Sequence, residues 1–496
     1  MPETSSARSI RKIRKAGLAI RPAKTKDGMS RERAESRQSM RAFLAALDRA
    51  GELMTVSQPV SREFEIAACL AEAGDGPALL FPHIAESSRP DAMPVVGNLL
   101  NSLPRFALGL GIETRRIQAA LVAAIDKPLP HRDLDSAPCQ EIVIDEPSIA
   151  DELPVPRFFE REEGPYITAG VIVAEDRHTG QTNLSIARLM PIGGNRAFVG
   201  IAPNHHLAML ARAAHARGEV LDIAVCIGNH PAVMIAACLY LGLGDDELPI
   251  AGALLGEPLE IARTATGGLA VPAHCECVLE GTLDAGEAFA EGAVSEFHGM
   301  YENYGAGIVA TFARLTRRRD AMFQVVLPGY HPEHCLLGGV AIAAGLFRTL
   351  RQSVTSVCEV AVGVGGAGRL HAVIALSRPR PGEARKAMFA VWAAVNLIKQ
   401  VVVVDDDIDP WNSVQVEWAI ATRTKPDRDL LIVPGVRADR SEPLEKDGMV
   451  AKLGIDATVR SNDRPHWDLA RPPETASRRA REILREIKTT GPSKRN

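Results

Sequence analysis

The sequence predicts a multidomain protein in which two α/β units flank a β-rich one. Three observations point there. The chain is 496 residues long, too long for one ordinary core, so two or three domains are expected. Strand-like runs crowd the stretch from about residue 150 to 328, whereas helical and strand patterns alternate on both sides of it. Hydrophobic residues make up 46 % and charged residues 24 %, a globular balance with enough apolar side chains for several cores.

Taken in order, residues 1–38 carry eleven basic side chains from Arg8 to Arg37 against few acids and few large apolar residues, which predicts a disordered basic extension. Residues 39–149 read as an α/β unit. RAFLAALDRAGEL, EIAACLAEAG and TRRIQAALVAAID have helical spacing, and ALLFPHI and PVVGNLL are strand-like. EIVIDEP and ELPVPRF, with their prolines, predict a linker-like passage into the next unit. In residues 150–328, YITAGVIVAED, TNLSIARLM, LDIAVCIG, PLEIAR, GLAVPA and CECVLEGTLD alternate as strands do, which predicts a barrel or a sandwich. Residues 329–472 open with a long apolar helix from Cys335 to Leu350. Strands EVAVGVG, LHAVIALS, VVVVDD and DLLIVP then alternate with helices ARKAMFAVWAAVNLIKQ and VQVEWAIATR, an α/β pattern. Residues 473–496 are a polar tail with one basic amphipathic helix, SRRAREILREIK.

Composition excludes some functions. A formal net charge of −4 gives no reason to expect nucleic acid as a partner. No apolar run approaches the roughly 20 residues of a spanning helix, and the longest, Pro231 to Gly244, is broken by glycine, so no membrane is expected. The eight cysteines are scattered, mostly in apolar runs, and read as reduced thiols in a cytoplasmic protein.

The stretch Asn183 to His206 places amide, hydroxyl, guanidinium and imidazole groups within one short unit, a mixture no core needs. Asn183 to Met190 reads as a strand, Gly193 and Gly194 as a turn, and Arg196 to Ile201 as a second strand. Asn204 is the expected N-cap of a helix whose first turn holds His205 and His206. Free N–H groups and the helix dipole there favour an anion such as phosphate. A hairpin running into a helix with surface histidines is the plainer alternative.

Other motifs weigh less. Gly363, Gly365 and Gly368 satisfy a dinucleotide glycine pattern, but a strand follows them where a helix is required, so a hairpin turn is predicted. His274, Cys275 and Cys277 lack partners at zinc spacing. Asp405, Asp406, Asp407 and Asp409 are expected to be solvated at a strand end, with a magnesium site the lesser option. His331 and His334 fit a pocket lining or a surface cap equally. Glu291 and Glu296, five residues apart, share no helix or strand face, so only a turn at Gly292 could aim both at one point. If both approached Arg188 in a closed pocket, the arginine would keep one carboxylate ionised. Repulsion and burial would then raise the other into a proton donor near neutral pH.

These motifs, in order, resemble the UbiD-type decarboxylases that use prenylated FMN. The matching features are NLSIAR, the two histidines at a helix start, Glu247 ahead of AGALLGEP, VPAHCECVLEG, the Glu291 and Glu296 pair, and VVDDDIDPWN followed by WAIATR. The resemblance runs from about Phe43 to Pro472. It implies an N-terminal α/β domain, a central split β-barrel of flavin-reductase type that holds the cofactor, and a C-terminal α/β dimerisation domain. It also implies that Asn183, His206 and Glu247 hold Mn²⁺ against the cofactor phosphate, with K⁺ a further candidate ion. Ser185, Ile186, Ala187, Arg188 and His205 would line the cofactor, and Arg188, Glu291 and Glu296 would form the catalytic network, Glu296 protonating the substrate carbon.

The activity implied is reversible, non-oxidative decarboxylation of an aromatic, heteroaromatic or α,β-unsaturated acid through a covalent substrate–cofactor adduct, with CO₂ as co-product. A flavin prenyltransferase would supply the cofactor, and a homodimer or higher homo-oligomer is expected. Two departures concern substrate: EGAVSE stands where many members have EGPFGE, and His205 where many have glutamine. His205 and His298 could hydrogen-bond a polar ring or a second carboxylate, which favours a heteroaromatic or substituted aromatic acid. The alternatives are an FMN-dependent reductase on the same barrel and a non-catalytic assembly subunit.

Overall fold

The computed structural model describes residues 35–86, 92–459 and 470–490, so most of the basic N-terminal extension lies outside the described residues. The first helix, Met40–Ala50, begins where the Ser39 side chain accepts from the Ala42 amide and stops at Gly51, whose φ is 73°. It buries Met40, Phe43, Leu44 and Leu47, the face its spacing predicts. Beside it lies a four-stranded sheet in the order Leu53–Thr55, Ala78–Phe81, Val95–Gly97, Phe323–Gln324.

The predicted boundaries at 149 and 328 are not where the sheets divide. Phe323–Gln324 pairs parallel with Val95–Gly97 of the N-terminal sheet. Ile142–Asp145, inside the passage expected to be a linker, is a strand paired antiparallel with Ala306–Arg317. The prolines flank this run without interrupting it. Its alternate residues Ile142 and Ile144 turn inward, and Asp145 pairs with Arg314 at 2.8 Å.

The central sheet positions the site. Its strands run in the order Gln181–Ile186, Val171–Asp176, Leu221–Ile227, Cys277–Ala290, Ala306–Arg317, Arg196–Gly200, Arg188–Gly193, with every pairing antiparallel. The first and last strands of that path are consecutive in the chain and separated only by Ala187. Ends joined by one residue can meet only if the sheet curls round on itself, and a bridge between Ile167 and Leu189 also ties the last strand to the segment leading into Val171–Asp176, the second strand of the path. Ile172, Ala174, Leu189, Phe198, Val225, Leu279 and Phe312 fill one core cluster of this sheet. The run read as one strand from Asn183 to Met190 is therefore two strands at different edges of the sheet.

The C-terminal sheet has the order Val357–Ala361, His371–Leu376, Gln400–Asp405, Met449–Asp456, Leu430–Arg437. Val401, Val402, Val403 and Val404 are all buried, as a central strand covered on both faces requires. Helices Pro332–Leu350 and Glu383–Ala394 pack on one face and Ser413–Arg423 on the other. The first of these begins at Pro332 rather than Cys335, because proline suits the first helical position. The glycine-rich stretch after Val357–Ala361 forms the expected turn into His371–Leu376, which pairs antiparallel with it. A helix spans Glu474–Thr490 in the tail. Among the described residues no helix is long and apolar enough to cross a membrane.

Candidate active site

A cavity of about 500 Å³ opens where the two edges of the rolled sheet meet at Ala187. Asn183, Ser185, Ile186, Ala187, Arg188, His205, His206, Glu247 and Glu296 all line it. Asn183 and Ser185 share one face of their strand by period-two alternation. Asn183 Oδ1 and Ser185 Oγ are buried without a hydrogen-bond partner. Glu247, at the first position of helix Glu247–Leu255, accepts from the Leu184 amide at 2.8 Å, which fixes its carboxylate beside that strand. Burial pushes Glu247 up to about 8, as expected of a carboxylate without a cation nearby. An orphaned amide oxygen, an imidazole and a buried carboxylate suit a hard divalent cation, so the donor set fits the metal site expected of Asn183, His206 and Glu247.

The helix there begins at His206, and its N-cap is His205, not Asn204. His205 Nδ1 accepts from the Leu207 amide at 3.3 Å, and burial together with the neighbouring His206 lowers His205 to about 4. The ring is neutral, with its proton on Nε2. An imidazole can cap a helix through a lone pair as an Asx side chain does, a substitution that residue-type preferences do not anticipate.

Arg188 and the two glutamates come together, but in unequal roles. Arg188 Nε and Nη2 donate to the two oxygens of Glu291 at 2.5 and 2.6 Å, a bidentate pair. Gly200, paired with Arg188 across the sheet, leaves the space: a Cβ there would lie 2.7 Å from Nε. Glu291 is buried and stands behind Arg188, off the cavity wall. Glu296 lines the cavity. Its Oε2 accepts from the Tyr304 hydroxyl at 2.8 Å and its Oε1 from the Phe297 amide at 2.9 Å. Gly292, with φ of 81°, makes the turn that the spacing requires.

The ionisation of Glu296 differs from the expectation. Burial pushes it up, but the Arg188 charge, the Phe297 amide, the Tyr304 hydroxyl and His334 outweigh burial and hold it below the ordinary carboxylate range. Glu296 is therefore held in its ionised form by its protein neighbours rather than poised as an acid.

Of the residues in EGAVSE, Val294 is buried in the core cluster and only Ser295 and Glu296 line the cavity. The Ser295 hydroxyl donates to buried Glu162 at 2.8 Å, which pins the loop from outside. His298 does not line the cavity and lies 3.5 Å from Glu302, so of the two histidines expected near the substrate only His205 is placed there. His334 does line it, whereas His331 is buried at the start of its helix. Asp405 and Asp407 pair with Arg423, and His274 pairs with Glu260 at 2.5 Å. The aspartates thus form a structural ion pair and His274 a hydrogen bond, both off the cavity wall. Sequence reasoning missed Tyr304, whose hydroxyl holds Glu296, and Arg369, which lines the cavity; no local pattern announces either contact.

Three family profiles match the chain in order. They are the N-terminal, Rift-related and C-terminal domains of 3-octaprenyl-4-hydroxybenzoate carboxy-lyase, over residues 44–125, 132–331 and 335–457. The chain belongs to the UbiD family of carboxy-lyases. Among its relatives, the anhydromevalonate phosphate decarboxylase of Methanothermobacter thermautotrophicus is 35 % identical over 85 % of this chain and 96 % of its own length. The enzyme of that name in Methanosarcina mazei is 34 % identical over 88 % and 99 %. The UbiD-class enzyme HmfF of Pelotomaculum thermopropionicum, solved in complex with FMN, is 36 % identical over 88 % of this chain and 98 % of that one, with a TM-score of 0.84. An evolved dimeric form of HmfF in complex with prFMN is 35 % identical with a TM-score of 0.81.

Proposed function

We propose that this carboxy-lyase decarboxylates an α,β-unsaturated carboxylic acid reversibly and without net oxidation, with prenylated FMN as cofactor and a divalent cation, Mn²⁺, held by Asn183, His206 and Glu247. The rolled sheet is read as the split barrel that carries the cofactor, between an N-terminal and a C-terminal α/β domain. When bound, the flavin would supply an electron sink for the charge left by departing CO₂. A single observation carries the reading: Arg188, fixed by Glu291, faces the same cavity as Glu296 and as the orphaned oxygens of Asn183 and Ser185.

The protein's own groups explain how a proton reaches the site. An incoming substrate carboxylate meets the Arg188 guanidinium, diverts part of its field from Glu296 and adds negative charge of its own. Both effects raise Glu296 towards its protonated form. The proton is thus taken up with the substrate and returned to its carbon after CO₂ has gone, and in the carboxylation direction the ionised Glu296 is the base. Glu291 is a positioning residue that holds Arg188 in one geometry.

The relatives favour a non-aromatic acid among the classes considered. The two archaeal enzymes are named for a dehydrated, phosphorylated hydroxy acid, whereas a dihydroxybenzoic acid decarboxylase and a vanillic acid decarboxylase are 25 % and 28 % identical. A homo-oligomer supplied with cofactor by a flavin prenyltransferase completes the reading. Protein co-produced with such a prenyltransferase should carry flavin absorbance and manganese and release CO₂ from unsaturated acids. A colourless, metal-free and inactive preparation would reject it.

A further inference from the structure

A second guanidinium lines the cavity. Arg369 follows the turn after strand Val357–Ala361, and among the described residues no carboxylate pairs with it. Its Nη1 is buried with no hydrogen-bond partner. A guanidinium has five N–H donors and no acceptor, so a buried one without an anion leaves donors unmet.

The group is nonetheless held in place. Its Cζ lies 4.9 Å from the centroid of the Phe297 ring, next in sequence to Glu296. Nη2 is 3.4 Å from His334 Nε2. His334 Nδ1 is 3.0 Å from the Gly329 carbonyl, which can only accept, so the proton sits on Nδ1 and Nε2 offers Arg369 a lone pair. On helix Pro332–Leu350, position 338 is glycine, and a Cβ there would lie 2.8 Å from Arg369 Cζ. Asp439 also lines the cavity, but it accepts from the Ser441 amide at 3.0 Å and does not neutralise Arg369. An aromatic face, a lone pair and a cleared helix surface thus fix a cation whose buried Nη1 has no acceptor among the described residues.

We propose that Arg369 binds a second anionic group of the substrate, so that the acid decarboxylated here is a dianion: an unsaturated carboxylate bearing a remote phosphate or carboxylate. This rests on the decarboxylase reading and specifies its substrate. Arg188 receives the carboxylate that leaves, and Arg369 receives the anion that stays. Glu296 feels the Arg188 charge and the neutral His334 lies against Arg369, and all four side chains line one space.

The test uses flavin-loaded protein, wild type and with Arg369→Gln or Arg369→Lys, and two matched pairs of acids. One pair is anhydromevalonate 5-phosphate and its dephosphorylated form. The other is hexa-2,4-dienedioate and hexa-2,4-dienoate. Wild type should favour the dianion in at least one pair, and the affected pair tells phosphate from carboxylate. In Arg369→Gln the dianion-to-monoanion ratio of kcat/KM should fall roughly 10–100-fold, through KM rather than kcat, and Arg369→Lys should recover part of it. Calorimetric binding of the same four acids reads Arg369 independently of turnover. No dianion preference in wild type, or equal losses for both members of each pair in Arg369→Gln, overturns the assignment. Protein that turns over the monoanions yet ignores the second charge would retain the decarboxylase reading and lose this one.

Discussion

Arg188 and Arg369 line one cavity, and each lies against a glycine that makes room for it, Gly200 and Gly338. Their partners differ. Arg188 is neutralised by a buried carboxylate in two-point contact, whereas Arg369 has an aromatic face and a neutral imidazole but, among the described residues, no anion. The first arrangement spends the charge on holding a geometry. The second keeps it for whatever enters. The same side chain thus becomes a positioning element or a binding element according to whether the fold supplies a counter-ion.

The comparison can be broken at several points. Glu296→Gln should lower CO₂ release by roughly 10²–10⁴-fold, the range of a lost general acid. It should also abolish exchange of the product C–H in D₂O while flavin absorbance persists, and full activity would remove Glu296 from its role. Glu291→Ala leaves the Arg188 guanidinium partly buried without its anion and should destabilise the protein by about 3 kcal/mol in urea unfolding. Replacing Arg188 and Glu291 together by methionine should restore much of that stability without restoring activity.

Gly339→Ala and Gly338→Ala form a sharper pair. A Cβ at 339 would lie 2.0 Å from the Val362 carbonyl oxygen, a backbone group that cannot yield, so a loss of roughly 1–3 kcal/mol or more is expected. At 338 the obstacle is the far end of the Arg369 side chain, which can shift where backbone cannot. Stability there should change by less than about 1 kcal/mol, while selectivity for the dianionic member of each acid pair falls.

The smallest effect concerns Glu333, fully buried at the start of the same helix as Gly338. It accepts from the Leu100 amide at 2.8 Å with its other oxygen unpartnered, and burial pushes it up to about 7 from an ordinary value of 4.5. Between those values the folded state binds the extra proton, so stability is lost as pH rises from about 4.5 through 7. Glu333→Gln should therefore melt a few degrees higher than wild type at pH 8, with the gap closing near pH 4.5. A gap independent of pH would contradict this.

Local pattern carried much of the fold. Periodicity placed the helix at Met40–Ala50, the buried valines of Gln400–Asp405, the Gly193–Gly194 turn and the hairpin turn at Gly363 to Gly368. It failed at Ala187, because a strand that continues its alternation while crossing from one edge of a curled sheet to the other shows no break in residue type. It failed at Ile142–Asp145 because flanking prolines outweighed a short period-two run. Arg369 was passed over because its neighbouring glycines were tested only as a nucleotide motif. They serve instead to bring the turn close to a helix: a Cβ at Gly368 would meet the Cys335 carbonyl oxygen at 2.0 Å.

The order and chemistry of the motifs, read along the chain, pointed to the family and, through that resemblance, to Asn183, His206 and Glu247 as candidate metal donors and Arg188, Glu291 and Glu296 as a candidate catalytic network. Which glutamate binds Arg188, that the protein neighbours of Glu296 favour its ionised form, and that a second arginine stands there with no carboxylate partner among the described residues were decided by tertiary structure alone. The reason is distance through space. Charges interact according to separation and burial, and Arg188 and Glu291, 103 residues apart in the chain, touch only because the sheet closes on itself.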